Sequence, residues 1–400
     1  MVVCKGAKVG VCRLLRGTES MMSRALLARR SWVSAVAVVI GLTLAVVVRA
    51  QEADPAIKKF AAANGLFQRQ LYNLAAERYE EFLKDFPKRP EGTTARYALA
   101  VCRFRLAEFD KAAAGLEEVL KDPQFKQGED ALLMLGHAYL NGAKYDKAVA
   151  AFDRLLKEHP GGPRAESASL GRAQAFYLAG KFAEAARACE QFLQAYPAST
   201  QRGEALYFLG IAQHEAGHEA ESVAALGQLL ARYPNSPRRI DAMLVLAQSL
   251  DAAGKPDDAV AQLQKLIDAA PADRKAEAML SLAMLEYRRG KYDDSIGTLS
   301  RLLNEHAASA NAGPARLQLG LAQLAAGRID DARKTLNQVA VGDASRAGTA
   351  RYWLAQCDIA EKKYDLALRA LDELGKSPAA AANADRIAFD RARCLMGLGN

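Results

Sequence analysis

The chain has 400 residues, half of them hydrophobic, a quarter charged and 7% aromatic, with a formal net charge of +8. That balance excludes a disordered polyampholyte, a collagen-like chain and a multi-span membrane protein. Alanine is the commonest residue and β-branched runs are scarce after the first fifty positions, so an all-α chain is expected.

Residues 1–50 stand apart. They carry eight basic residues and one acid, Glu19, while the remaining 350 residues hold 46 basic and 45 acidic side chains. The positive charge therefore belongs to this segment and gives no support for nucleic-acid binding by the rest. An apolar run from Val33 to Val48 follows the basic region, and Val48-Arg49-Ala50 places small residues at −3 and −1 of a cleavage point after Ala50. That order is the pattern of a secretory signal. The run is shorter than the roughly 20 residues of a spanning helix, and an uncleaved signal anchor is the alternative, in which case the chain touches the membrane only through it. Either reading places residues 51–400 outside the cytoplasm. Residues 51–56 read as a short linker.

From residue 57 onward the sequence repeats. One column, Ala75, Ala112, Ala148, Ala185, Ser222, Ala259, Ser295, Ala332 and Ala367, recurs every 35 to 37 residues and holds only Ala or Ser. Twelve residues upstream lies a second small column, from Ala63 and Ala100 through Gly136, Ala173, Gly210, Ala247, Ala283, Gly320 and Ala355 to Ala392. Four and seven residues after the first column come large apolar residues such as Phe152 and Leu155, or Leu226 and Leu229, which a helix places on one face. Each unit therefore reads as helix A, a short turn and helix B. Gly217 falls in that turn, aligned with Gly142, Gly180 and Gly254. Helix B commonly stops before a proline, as at Pro87, Pro160, Pro197, Pro234 and Pro271. Closing prolines fail near Ala307 and Ala344, where looser junctions are expected. Asp54-Pro55 reads as an N-cap followed by proline at the first helical position.

These columns resemble the tetratricopeptide repeat (TPR), most closely over residues 132–160. Arg172 and Arg391 depart from it by replacing the leucine before the small residue of helix A. The resemblance implies an all-α, TPR-like α-solenoid, a right-handed superhelix of helix-turn-helix repeats over residues 57–400, about nine and a half units. The longer link between helix B and the next helix A is similar in style to bacterial envelope proteins, the periplasmic Tol-Pal coordinator and the β-barrel assembly lipoprotein. It implies a non-enzymatic scaffold for proteins or peptides of the cell envelope. Two other readings stay open: the repeat arm of an exopolysaccharide secretion system, or a regulatory arm of a larger enzyme. The tenth unit has only a helix A, so the natural chain is expected to continue or to fray there.

In such a stack the helix A faces line a groove. The groove candidates are Phe104, His137, Gln174, Tyr177, Ile211, Met284 and Tyr287, a mixture of aromatic, aliphatic and amide side chains suited to an extended or helical peptide. The family's carboxylate clamp is not expected, because the column that would carry it reads Phe60, Tyr97, Leu133, Leu170, Tyr207 and onward in apolar residues.

Other chemistry is weaker. His214-Glu215-Ala216-Gly217-His218 matches a zinc-protease string, which requires both histidines on one continuous helix, and the turn at Gly217 breaks it. Cys102, Cys189, Cys357 and Cys394 fall in core columns and read as small buried hydrophobes. Asp-Asp pairs at 257–258, 293–294 and 330–331 read as first-turn acids that favour the helix dipole. No metal, cofactor, catalytic residue or nucleic-acid partner is assigned.

Overall fold

A computed structural model describes residues 54–376 and 384–399. Residues 1–50, expected from the sequence to be a signal or signal anchor, and residues 51–53 of the expected linker lie outside the described residues. Nineteen helices and no strand occur among the described residues. The chain divides into two compact units, with the boundary after Ala168.

The first unit contains three complete hairpins. They are α1 (Pro55–Gln68) with α2 (Tyr72–Asp85), α3 (Gly92–Arg105) with α4 (Phe109–Val119), and α5 (Gly128–Asn141) with α6 (Tyr145–Glu158). Asp54 caps α1, its carboxylate accepting from Ala56 N at 2.9 Å, and Pro55 takes the first helical position where no intrahelical N–H is needed. The same carboxylate meets Arg89 at 2.7 Å, tying the first hairpin to the loop that opens the second.

The second unit begins within α7 (Ala165–Leu178), which pairs with α8 (Phe182–Ala195). It continues as α9 (Arg202–Glu215) with α10 (Glu219–Arg232), α11 (Arg239–Ala252) with α12 (Pro256–Ala269), and α13 (Ala272–Arg288) with α14 (Tyr292–Glu305). Then follow α15 (Ala312–Ala325) with α16 (Ile329–Gly342), α17 (Ala347–Ala360) with α18 (Tyr364–Gly375), and α19 (Ala384–Gly397). Successive A helices, α9 with α11, α11 with α13 and so on, touch one another more than successive B helices do. The A helices therefore form the inner, closely spaced layer of this unit.

Packing follows the two small columns. Every member of the helix B column, Ala75 through Ala367, is fully buried. The helix A column, never larger than a methyl group, admits helix B closely in each hairpin. Gly136 faces Phe152 and Gly210 faces Leu226, and a Cβ on either glycine would overlap the opposing side chain. Where the column holds Ala63 or Ala247, the opposing Tyr79 or Leu263 is accommodated with both partners buried. The pattern ends at Ala392 on α19, which is exposed.

All nine turns between helix A and helix B are three residues long, and the middle residue is left-handed. Glycine fills that place five times, from Gly180 (φ 75°) to Gly327 (φ 76°). The alignment of Gly142 with these is corrected by the structure. Gly142 sits at φ −82° as the helix cap, and the left-handed residue is Ala143 at φ 56°. Gln70, Ala107 and Lys362 occupy the same strained place.

One residue separates the end of helix B from its proline, and in that place Phe86, His159, Tyr196 and Tyr233 take φ between −122° and −135°. Proline disfavours the helical region for its predecessor, which explains the exit. His306 adopts the same backbone without a proline, at φ −133°. At 343–346 the Asp343 carboxylate does the work instead, accepting from Ser345 N at 3.1 Å and Arg346 N at 3.2 Å.

Candidate functional site

In the first unit, Phe104 is half-buried and stacks edge-on against Phe109, five residues on, at 5.6 Å. His137 lies T-shaped on Phe152 at 5.3 Å, so its ring forms part of the seam between α5 and α6.

In the second unit, Tyr177 packs on Phe182 at 5.7 Å and on Phe208 at 6.0 Å, and Tyr287 packs on Tyr292 at 5.4 Å. Phe104, Tyr177 and Tyr287 therefore share one role: each folds across its hairpin turn onto the first aromatic residue of helix B. Burial, then the negative charge of Glu215, pushes the Tyr177 hydroxyl up to about 12, so it stays a hydrogen-bond donor at neutral pH. Gln174 is half-buried, and Ile211 is buried between helices. Met284 is the most open of the seven, at 43% exposure, with the exposed Gln248 in the same column one unit earlier.

A buried polar network lies behind this face. Ser222 Oγ donates to Gly210 O at 2.8 Å and lies 2.8 Å from Ser249 Oγ. His214 Nδ1 lies 2.8 Å from Glu219 Oε2 and 3.1 Å from Ser249 Oγ. An ionised carboxylate only accepts, so Nδ1 carries the proton, and Ser249 must donate to Ser222 because the Ser222 proton is already spent on Gly210 O. The tautomer is assigned from this network. A serine nucleophile would need the acid on one ring nitrogen and the hydroxyl on the other. Here both meet Nδ1, and Ser249 is fully buried. The arrangement pins three helices together and has no reactive oxygen to offer.

The zinc-protease string resolves in the same region. Helix α9 stops at Glu215, Gly217 turns the chain at φ 78°, and His218 begins the next helix with its Nδ1 on Gln213 Oε1 at 2.8 Å. The two rings are committed to different partners on either side of the turn. Cys102, Cys189, Cys357 and Cys394 are buried and free, and burial raises the Cys357 thiol to about 11 and the Cys102 thiol to about 12. The Asp pairs occupy first turns of B helices. Some bridge to the following turn, as Asp293 does to Arg328 at 2.7 Å.

Reading the columns did not reveal the pairs that join successive A helices. Arg164 reaches Asp130 at 2.5 Å, Arg238 reaches Glu204 at 2.6 Å, and Arg274 reaches Asp241. Arg238 also covers the Tyr207 ring at 5.0 Å. Each pair is 33 or 34 residues apart in sequence. A search for opposite charges near the repeat length would have found them. Among the described residues no helix is long and apolar enough to cross a membrane.

Comparison with known proteins agrees with the geometry. A tetratricopeptide repeat model matches residues 60–127, 244–312 and 317–381, just over half of the chain. A model of the YfiO outer membrane lipoprotein matches residues 126–248. No curated protein sequence matches. Among solved structures, the C-terminal part of a TPR protein from Cytophaga hutchinsonii is 19% identical, with a TM-score of 0.51, covering 64% of this chain and 98% of that one. A tetratricopeptide repeat protein from Parabacteroides merdae is 14% identical, with a TM-score of 0.46, covering 67% of this chain and 98% of that one. A fold of this kind is generally a scaffold for protein partners. Column spacing, three-residue turns and matched small and large residues all converge with the family match, and the chain belongs to the tetratricopeptide repeat family.

Proposed function

We propose that this chain is an exported, non-enzymatic scaffold of the bacterial cell envelope that holds partner proteins or peptides on its helix A layer. The observation that carries the reading is the inner layer of the second unit. There the closely spaced A helices present Met284, Tyr287, Tyr177, Gln174 and Gln248 as a mixed apolar and amide surface. Such a surface suits a peptide bound through apolar anchors and backbone hydrogen bonds. The basic segment, the apolar run to Val48 and the match to an outer membrane lipoprotein family support the envelope location. Phe104 of the first unit continues the column of Tyr177 and Tyr287, and His137 of the first unit and Ile211 of the second continue the column of Gln174, Gln248 and Met284.

The test is crosslinking capture from envelope extracts with the exported chain and with a Tyr177→Ala, Met284→Asp variant. Specific envelope partners are expected with the first and at least a tenfold loss with the second at unchanged helicity. Undiminished capture would remove the groove from the proposal, and capture of cytosolic proteins alone would remove the export.

A further inference from the structure

Polar groups of the second unit fall into two sets. Those behind the inner layer are engaged: His214 meets Glu219 and Ser249, Gln213 meets His218, and Arg238 forks onto Glu204. On the inner face, the amides of Gln174 and Gln248, the Tyr177 hydroxyl and the Glu215 carboxylate have no hydrogen-bond partner among the described residues.

The chain carries its own template for what meets such a carboxylate. Arg238 lies over the rings of Tyr207 at 5.0 Å and Phe208 at 5.8 Å while its Nε and terminal nitrogen donate to Glu204 at 3.0 and 2.6 Å. Phe208 packs T-shaped on Tyr207 at 5.6 Å and on Tyr177 at 6.0 Å. Tyr177 is thus the far end of one three-ring cluster, and the exposed Glu215 stands close enough for its charge to act on the Tyr177 hydroxyl. One end of the cluster has a ring, a carboxylate and a guanidinium. The other has the ring and the carboxylate, and none of the described residues supplies the cation.

Charge along the face agrees. The next charged pair, Asp251 on α11 with Arg288 on α13, is closed on itself, so Glu215 is the charge left over. Past that pair the face turns apolar at the exposed Met284 and, one unit on in the same column, the half-buried Leu321.

We infer that the inner layer selects a partner peptide by an arginine, whose guanidinium forks onto Glu215 beside Tyr177 while an apolar side chain farther along the peptide seats on Met284. This rests on the inner layer being the binding surface and adds the chemistry that it reads. Packed helices lie about 8–10 Å apart, so α9 to α13 is about 16–20 Å. An extended peptide advances about 3.3 Å per residue, which sets about five or six residues between the arginine and the apolar anchor. A planar fork meets a carboxylate at two points where an ammonium is a single charge, so arginine is favoured over lysine.

The test is an array of peptide pools probed with the whole chain. Each pool has arginine, citrulline or glutamate at one position and leucine or serine about six residues on, with the other positions randomised. Arginine with leucine should retain the most protein, and citrulline, which keeps the shape and loses the charge, at least fivefold less. Glu215→Arg should reverse the order in favour of glutamate at unchanged helicity. Met284→Asp should remove the preference for leucine in the arginine and citrulline pools alike. Equal retention of arginine and citrulline, or an order that Glu215→Arg leaves unaltered, would overturn the arginine site. A leucine preference that Met284→Asp still removes would in that case leave the inner layer standing as the binding surface. Retention on no pool, or a leucine preference indifferent to Met284→Asp, would overturn the surface and the arginine site together.

Discussion

At the scale of single residues, stability is concentrated in places where one atom decides. Non-glycine residues in the left-handed region cost about 1–2 kcal/mol each. Ala107 and Ala143 both stand there. Replacing Ala143 by Gly is expected to raise the urea midpoint, with a gain of about 0.5–1 kcal/mol after the greater freedom of glycine in the unfolded chain is subtracted. Gly254→Ala, at φ 74°, should lower it by a similar amount or more. The opposite logic governs Gly136. A methyl group there collides with the Phe152 ring, and Gly136→Ala is expected to cost about 1–3 kcal/mol by urea denaturation. An equal or higher midpoint would show that the α5–α6 seam yields to the extra carbon.

At the scale of elements, the hairpin is what the sequence makes legible. The small columns, the apolar spacing and the closing prolines each follow from one helix meeting the next at short range, so a single chain displays them. The His214–Ser249 contact was not legible, because its partners lie 35 residues apart in different hairpins and neither position is unusual alone. The groove candidates were legible as two columns, but not in their orientation. Whether Tyr177 points outward or folds onto Phe182 depends on the aromatic residue across the turn, a detail of rotamer and not of periodicity. Ser222→Ala should cost about 1 kcal/mol, since it removes the second bond to Gly210 O and leaves the Ser249 hydroxyl proton without its acceptor in a dry interior. The double variant Ser222→Ala, Ser249→Ala should cost less than the sum of the singles in a urea melt, because the contact between them is lost only once. Strict additivity would show that the two hydroxyls act independently.

At the scale of the whole molecule, the response to pH should be lopsided. Burial raises the hydroxyls of Tyr79, Tyr97 and Tyr207 above their ordinary 10.0, and the thiols of Cys102 and Cys189 above 9.0. A group that loses its proton more readily in the unfolded chain binds fewer protons there, so stability falls as pH rises past its unfolded value. The carboxylates whose affinity for protons is lowered, such as the half-buried Asp343 and the exposed Glu305, stand at the solvent-facing surface and add little at the acid end. The thermal midpoint by circular dichroism is expected to hold near neutrality and to drop steeply between about pH 9 and 11. A flat alkaline limb would mean that these side chains reach water in the folded state.

The charged pairs between successive A helices have one more consequence, for how such a chain can grow and shrink. Because Arg238 reaches back to Glu204 and Arg274 to Asp241, each bond spans about one repeat and depends only on its neighbour. Excising residues 202–238 would remove one whole period and bring Arg239 into the place of Arg202, the same residue in the same column. The chain would then be shorter by one period yet chemically continuous at the splice. Gain or loss of a period by unequal recombination would pass through folded intermediates, so the number of repeats is free to drift while the joint between them stays fixed.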